Sequence, residues 1–166
     1  ERIASDKELA LNFSSSLQTG KHLNITGLCA EQKVYVAMAL ARLNGRKAVF
    51  IEPDSARARV TASYCAAFTD GTVPVLMPSE LSLVSAEASS RELELSRSSA
   101  LSELVRGEYG AAVITAGALL NKLEPKKVFG KRIIELKVGQ ESERDELVEQ
   151  LLLNGYENVP QVMERG

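Results

Sequence analysis

The 166-residue sequence contains no tryptophan, a single histidine and two cysteines, and aromatic residues make up only 5% of it. Each scarcity excludes something. His22 alone cannot supply a cluster of histidine ligands, and Cys29 and Cys65 form no CxxC pair, so a structural zinc site is ruled out. No run approaches the roughly 20 consecutive apolar residues of a membrane-spanning helix, and the N-terminus lacks the basic-then-apolar pattern of a secretory signal. An excess of charge of one sign is missing too. Twenty Lys+Arg against 22 Asp+Glu leave a net charge of -2, which gives the surface as a whole no footprint for tight nucleic-acid binding.

These absences point to a cytoplasmic chain with no membrane partner. Its length suits one full domain, or one domain plus the start of a second, and allows a core that needs no disulfide staples. The two cysteines are therefore expected to be reduced and buried. Because the chain starts at Glu1 rather than Met and stops at Glu164-Arg165-Gly166 with no closing element, it is expected to be a piece of something longer.

Periodicity then divides the chain. Residues 1–20 hold one amphipathic helix, capped by Ser5 or Asp6, with Leu9, Leu11, Phe13 and Leu17 as its apolar positions and Gly20 as its end. From residue 21 to 126 short apolar runs alternate with helical stretches. Strands are expected at Leu23 to Leu28, Lys47 to Glu52, Thr72 to Met77 and Ala111 to Ala116. Between them lie a helix from Glu31 to Leu43 with Val34, Ala37, Met38 and Ala41 on one face, and a second opened by Pro53-Asp54 with Val60, Tyr64, Ala67 and Phe68 as its stripe. Nine serines fall between Pro78 and Ser102. The first half of that segment reads as loop, and the second carries Leu93, Ala100, Leu101 and Leu104 at helical spacing up to Gly107. Leu119, Leu120 and Leu123 belong to a short helix ended by Pro125. Strands separated by long helices pair in parallel through right-handed crossovers, which gives an α/β sandwich with helices on both faces. Past Pro125 the pattern changes. Lys131 to Val138 alternates as a half-exposed strand would, Ser142 caps a helix with Asp145 three residues on, Leu147, Val148, Leu151 and Leu152 form its buried stripe, and Asn158 to Met163 reads as one more strand. Residues 127–166 thus read as the start of a smaller α+β domain.

Thr26-Gly27-Leu28-Cys29-Ala30-Glu31-Gln32-Lys33-Val34 stands between the first expected strand and the first helix, where an α/β fold of the P-loop NTPase kind puts its phosphate-binding loop. A working G-x-x-x-x-G-K-[ST] loop needs glycine before the lysine so that backbone N–H groups curl around the phosphates, and a hydroxyl after it for Mg²⁺. Gly27 and Lys33 have the right spacing, but Gln32 replaces the glycine and Val34 the hydroxyl, and Glu31 puts a negative charge where a triphosphate would lie. The position fits a nucleotide fold, whereas the chemistry argues against nucleotide binding. Neither a cofactor nor a metal is expected here.

Other candidates are weaker. Glu80, Glu87, Glu92 and Glu94 have no apolar or basic neighbours to raise a pKa and read as a solvated face. Cys29 beside the loop could be a nucleophile, but His22 is a poor partner for it, and a buried cysteine at a strand end is the commoner outcome. The serine-rich segment contains no G-x-S-x-G elbow. Lys126, Lys127, Lys131 and Arg132 form a basic cluster that reads as linker solvation before it reads as a nucleic-acid contact.

A family likeness enters with Leu136-Lys137-Val138-Gly139, the following Leu147 and Leu151, Gly155-Tyr156, and Gln161-Val162-Met163-Glu164-Arg165-Gly166. The pattern L-K-V-G, then L, G-Y and Q-V-M-E-x-G, resembles the second domain of the bacterial excision-repair protein UvrB and of transcription-repair coupling factors. Arg97 to Leu104 with Ala112 to Ala116 looks like the helix-strand unit of the same module, and Leu23 to Gly27 like its first strand. UvrB-type proteins keep an intact phosphate loop and a long aromatic-rich hairpin after the third strand. This chain has Gln32 and Val34 in the loop and only about ten residues, Ser79 to Ala88, without an aromatic where the hairpin would start. Both departures resemble the N-terminal module of the coupling factors.

The resemblance implies a non-catalytic UvrB-like module that recruits UvrA to RNA polymerase stalled at DNA damage. It also implies a parent chain whose separate motor, an ATP-driven DNA translocase using ATP and Mg²⁺, lies outside these residues. The family's UvrA contacts fall mostly beyond Gly166, so no contact residue is assigned. The rival expectation is an active DNA-repair ATPase with Lys33 on the phosphates. Gly117-Ala118 after the fourth expected strand, where an Asp-Glu pair would hold a metal, weighs against it.

Overall fold

The computed structural model describes residues 15–16, 22, 24–78 and 87–159, with the side chains of the long helix described from residue 92. The chain forms two compact units, Glu1–Lys122 and Leu123–Gly166. The expected N-terminal helix with Leu9, Leu11, Phe13 and Leu17, the segment 79–86 with Glu80, and the Q-V-M-E-x-G ending lie outside the described residues.

In the first unit α1 (Ala30–Leu43) leads to β1 (Ala48–Glu52), α2 (Ser55–Ala66) to β2 (Val75–Leu76), and α3 (Glu87–Arg106) to β3 (Ala111–Thr115), which α4 (Ala116–Leu119) follows directly. The three strands form one parallel sheet in the order β1-β3-β2. Ala48 to Glu52 run opposite Ala111 to Thr115, while Val75 and Leu76 run opposite Val113 and Ile114. The central strand β3 reads Ala-Ala-Val-Ile-Thr, a continuous small and branched run, as a parallel strand covered on both faces requires. One face buries Ala111 and Val113 against Val34 and Met38 of α1 and Ala58 and Cys65 of α2. The other packs Leu76 and Ile114 against Ala100 of α3 and Ala118 of α4, with Leu101 and Leu104 partly buried beside them. The first unit is thus an α/β layer structure with helices on both faces, a layout consistent with Rossmann-like and P-loop-like folds.

Local chemistry explains the boundaries. The Asp54 side chain accepts the backbone N–H of Arg57 at 2.8 Å and starts α2. Gly45 at φ +59° and Gly107 at φ +76° end α1 and α3 in the left-handed region that glycine enters without strain. Arg97 donates from its guanidinium to the Met77 carbonyl, tying α3 to the end of β2.

Several expectations are corrected. Asn24 to Leu28 join no strand, so the sheet has three described strands rather than four; Ile25 is exposed and finds no ladder partner. The third expected strand shrinks to Val75–Leu76, and α3 begins at Glu87, within the serine-rich half read as loop. The buried stripe of α2 is Ala58, Thr61 and Cys65, whereas Val60 is exposed. Leu119 and Leu120 point to solvent.

In the second unit the alternating segment is no strand. Lys126–Arg132 form helix α5, started by Pro125, and Ile133 to Lys137 follow without regular structure. A second helix, α6, spans Arg144–Leu153 with Glu143 rather than Ser142 at its cap, and none of its residues is buried. Asn158 and Val159 are not in a strand. Among the described residues this unit is helical.

Candidate functional site

The segment Thr26 to Val34, which stands where a phosphate loop would but is expected to hold no nucleotide, forms a capped helix start. Gly27 sits at φ +79° in open space, with nothing within 4 Å of where a Cβ would lie. That conformation turns the chain from Thr26 toward α1. Cys29 is the N-cap of α1, and its backbone N–H donates to Gln32 Oε1 at 3.1 Å. A free helix N-terminus binds anions through its unpaired N–H groups. Here the residue that replaces the motif glycine takes up one of those donors itself.

Glu31 reinforces the closure. Its carboxylate accepts the Tyr64 hydroxyl at 2.8 Å. Its pKa is held below the usual 4.5, chiefly by its own backbone N–H, then by hydrogen bonds from Cys29 and Tyr64. The first turn of α1 therefore carries a fixed negative charge, which suits the positive end of the helix dipole and competes with any incoming phosphate. Lys33 and Gln32 are exposed on the same turn, while Val34, at the position of the motif hydroxyl, is buried in the core at 3% exposure. No metal-ligating oxygen could be offered from there.

The carboxyl ends of the strands tell the same story. Glu52 ends β1 and accepts the Thr61 hydroxyl at 2.7 Å. Thr115 ends β3 fully buried, its hydroxyl donating to the Leu76 carbonyl and accepting the Ala118 N–H, both at 3.3 Å. These side chains are occupied in holding β1 to α2 and β3 to β2 and α4. Among the described residues no group of three or more His, Cys, Asp and Glu is gathered as metal ligands would be.

Cys29 is exposed rather than buried, and no hydrogen bond joins it to the exposed His22. Cys65 is the buried cysteine, its thiol pushed up to about 11 by burial first and the charge of Glu52 second. Glu92 and Glu94 are exposed on α3. The basic cluster lies on α5, where Arg132 pairs with Glu124 at 3.0 Å. No described helix is long and apolar enough to cross a membrane.

Sequence reasoning missed a cleft of about 780 Å³ at the opposite, amino-terminal end of the strands. It lies between α1, the turn leading to β1, the loop after α2 and the loop before β3, and its lining includes Tyr35, Met38 and Phe68 together with Arg42, Arg46, Asp70 and Glu108. The Tyr35 and Phe68 rings meet at 5.6 Å between centroids. Its members come from four separate segments, each ordinary alone, so no local pattern announced it. Only Tyr109-Gly110, an aromatic beside a glycine just before a buried strand, offered a signal. Against known proteins, no family model matches this chain and no curated protein matches it significantly.

Proposed function

We propose that this chain is a non-catalytic, UvrB-like recruitment module of a transcription-repair coupling factor, carrying UvrA to RNA polymerase stalled at damaged DNA. One observation carries the non-catalytic half: Gln32 occupies the Cys29 N–H at 3.1 Å in the position where a phosphate loop needs a bare backbone. The ionised Glu31 and the buried Val34 support the same reading. The recruitment half rests on the resemblance of the L-K-V-G, G-Y and Q-V-M-E-x-G segments to coupling factors. In that reading the ATP- and Mg²⁺-dependent DNA translocase is a separate part of the parent protein.

The direct test is calorimetric titration of purified UvrA into this chain and into a version extended beyond Gly166. Saturable heat from the extended version supports recruitment. Silence from both, with UvrA shown active, overturns it. The rival reading, an ATPase with Lys33 on the phosphates, has the exposed Lys33 and the open turn at Gly27 in its favour, and the Gln32 cap, the Glu31 charge and the buried Val34 against it.

A further inference from the structure

The segment after α5 in the second unit has the shape of a strand and no strand beside it. Ile133 to Lys137 leave the helix without regular structure, and Val138-Gly139 turn the chain, with Gly139 at φ +83°. Lys137 Nζ stands 3.6 Å from Glu135 Oε1. Side chains two residues apart share a side only where the backbone is extended, because a helix turns them away from each other. Asn154, at the end of α6, fixes the start of the segment by donating from its side chain to the Arg132 carbonyl at 2.9 Å.

In an extended chain the N–H and C=O of one residue point to one edge, and those of the next residue to the other. Both groups of Lys137 are taken by Gln140: the N–H donates to Gln140 Oε1 at 3.3 Å, and the carbonyl accepts the Gln140 N–H at 3.1 Å. That edge is closed by the chain's own turn. The other edge belongs to Ile134, Leu136 and Val138, whose backbone groups form no hydrogen bond among the described residues. Their side chains share one face, with Ile134 half-buried, Leu136 63% exposed and Val138 fully exposed. Neither α5 nor α6 has a buried residue, so the unit has apolar surface left to cover.

The geometry points to a second copy of this chain as the occupant of that edge, paired antiparallel about a two-fold axis at Leu136. In this register Leu136 lies opposite Leu136 of the second copy, Ile134 opposite Val138, and Glu135 opposite Lys137. The two Glu135–Lys137 pairs then join into one cluster of alternating charge. Neighbouring registers lose this: an axis at Glu135 sets two carboxylates against each other, and an axis at Lys137 two ammonium groups. Hydrogen bonding at Leu136 uses only the open edge, so both Gln140 turns stay in place. The inference does not rest on the recruitment reading.

The test is sedimentation equilibrium of the whole chain up to about 1 mM, where a dimer with Kd of about 0.1 mM is expected for so short a ribbon. E135K and K137E each replace two attractive cross-strand contacts with repulsive ones and should weaken the dimer at least about tenfold. An equal mixture of the two variants restores opposite charges in the same register, as does the double substitution E135K/K137E, and both should regain the parent's dimer. Circular dichroism checks that each variant is folded. Hydrogen exchange of the parent should show protection at the amides of Ile134, Leu136 and Val138 that rises with concentration. A monomer throughout, a dimer that both single variants keep, a mixture that stays monomeric, or protection independent of concentration, as pairing within one chain would give, would overturn the inference.

Discussion

Glu31 and Tyr64 form the residue pair that most directly links titration to the closed start of α1. The lowered pKa of Glu31 means that its stabilising contribution is complete above the unfolded value of 4.5 and is lost as pH falls through the lower folded value. Tyr64 is shifted the other way, raised above 10.0 first by its hydrogen bond to Glu31. Its contribution is complete below pH 10 and is lost as pH rises through the folded value. In urea-unfolding midpoints measured across pH, Glu31→Gln should therefore flatten the acid limb below pH 4.5, and Tyr64→Phe the alkaline limb above pH 10. A variant whose two limbs match the parent's would contradict this coupling. The cysteines give a second outcome: an aromatic disulfide reagent at neutral pH should titrate Cys29 at once and Cys65 only on unfolding, because Cys65 is buried and its thiol lies at about 11. Two equally fast thiols would refute that. That no glycine precedes Lys33 and no hydroxyl follows it is read directly from Gln32 and Val34. That Gln32 turns back to cap Cys29 is not, since the identity of a residue says nothing of where its side chain goes.

Elements differ in how much their local sequence decides. Asp54 starts α2 through a side-chain bond to Arg57 N–H, whereas Glu143 starts α6 with none. Asp54→Ala should cost about 1 kcal/mol in denaturant unfolding, and Glu143→Ala close to nothing. Val113 sits fully buried at the centre of the sheet, while Val49 on the edge strand β1 is 53% exposed. Val113→Ala should cost about 2 kcal/mol and Val49→Ala under about 0.5. Equal losses at the two valines would mean that β1 is covered in solution. Helix ends were readable because glycine and aspartate carry their own geometry. The face of α2 was not: its buried positions are alanine, threonine and cysteine, and Thr61 can be buried because its hydroxyl reaches Glu52. Leu23 to Leu28 and Lys131 to Val138 look like strands for a related reason. Alternation records which side chains are apolar, but a strand also needs a neighbour with free backbone groups, and that neighbour is distant in sequence.

At the scale of the molecule, the first unit holds the buried clusters and the second has no buried residue in α5 or α6. Native-state hydrogen exchange should find the amides of β3 most protected and those of α6 exchanging by a lower-energy opening. Matching protection in both would contradict that order. The layered α/β architecture was legible from alternating apolar runs and helices, whereas the strand expected before α1, at Leu23 to Leu28, is not part of the sheet. The cleft at the amino-terminal end of the strands was hidden, since four segments build it together. The central claim is that the start of α1 is closed to phosphate. It is tested most directly by calorimetric titration of ATP–Mg²⁺ into the chain, with Lys33→Ala as control. The account predicts a Kd no tighter than about 1 mM, unchanged in the control; micromolar, saturable binding that disappears with Lys33 would contradict it.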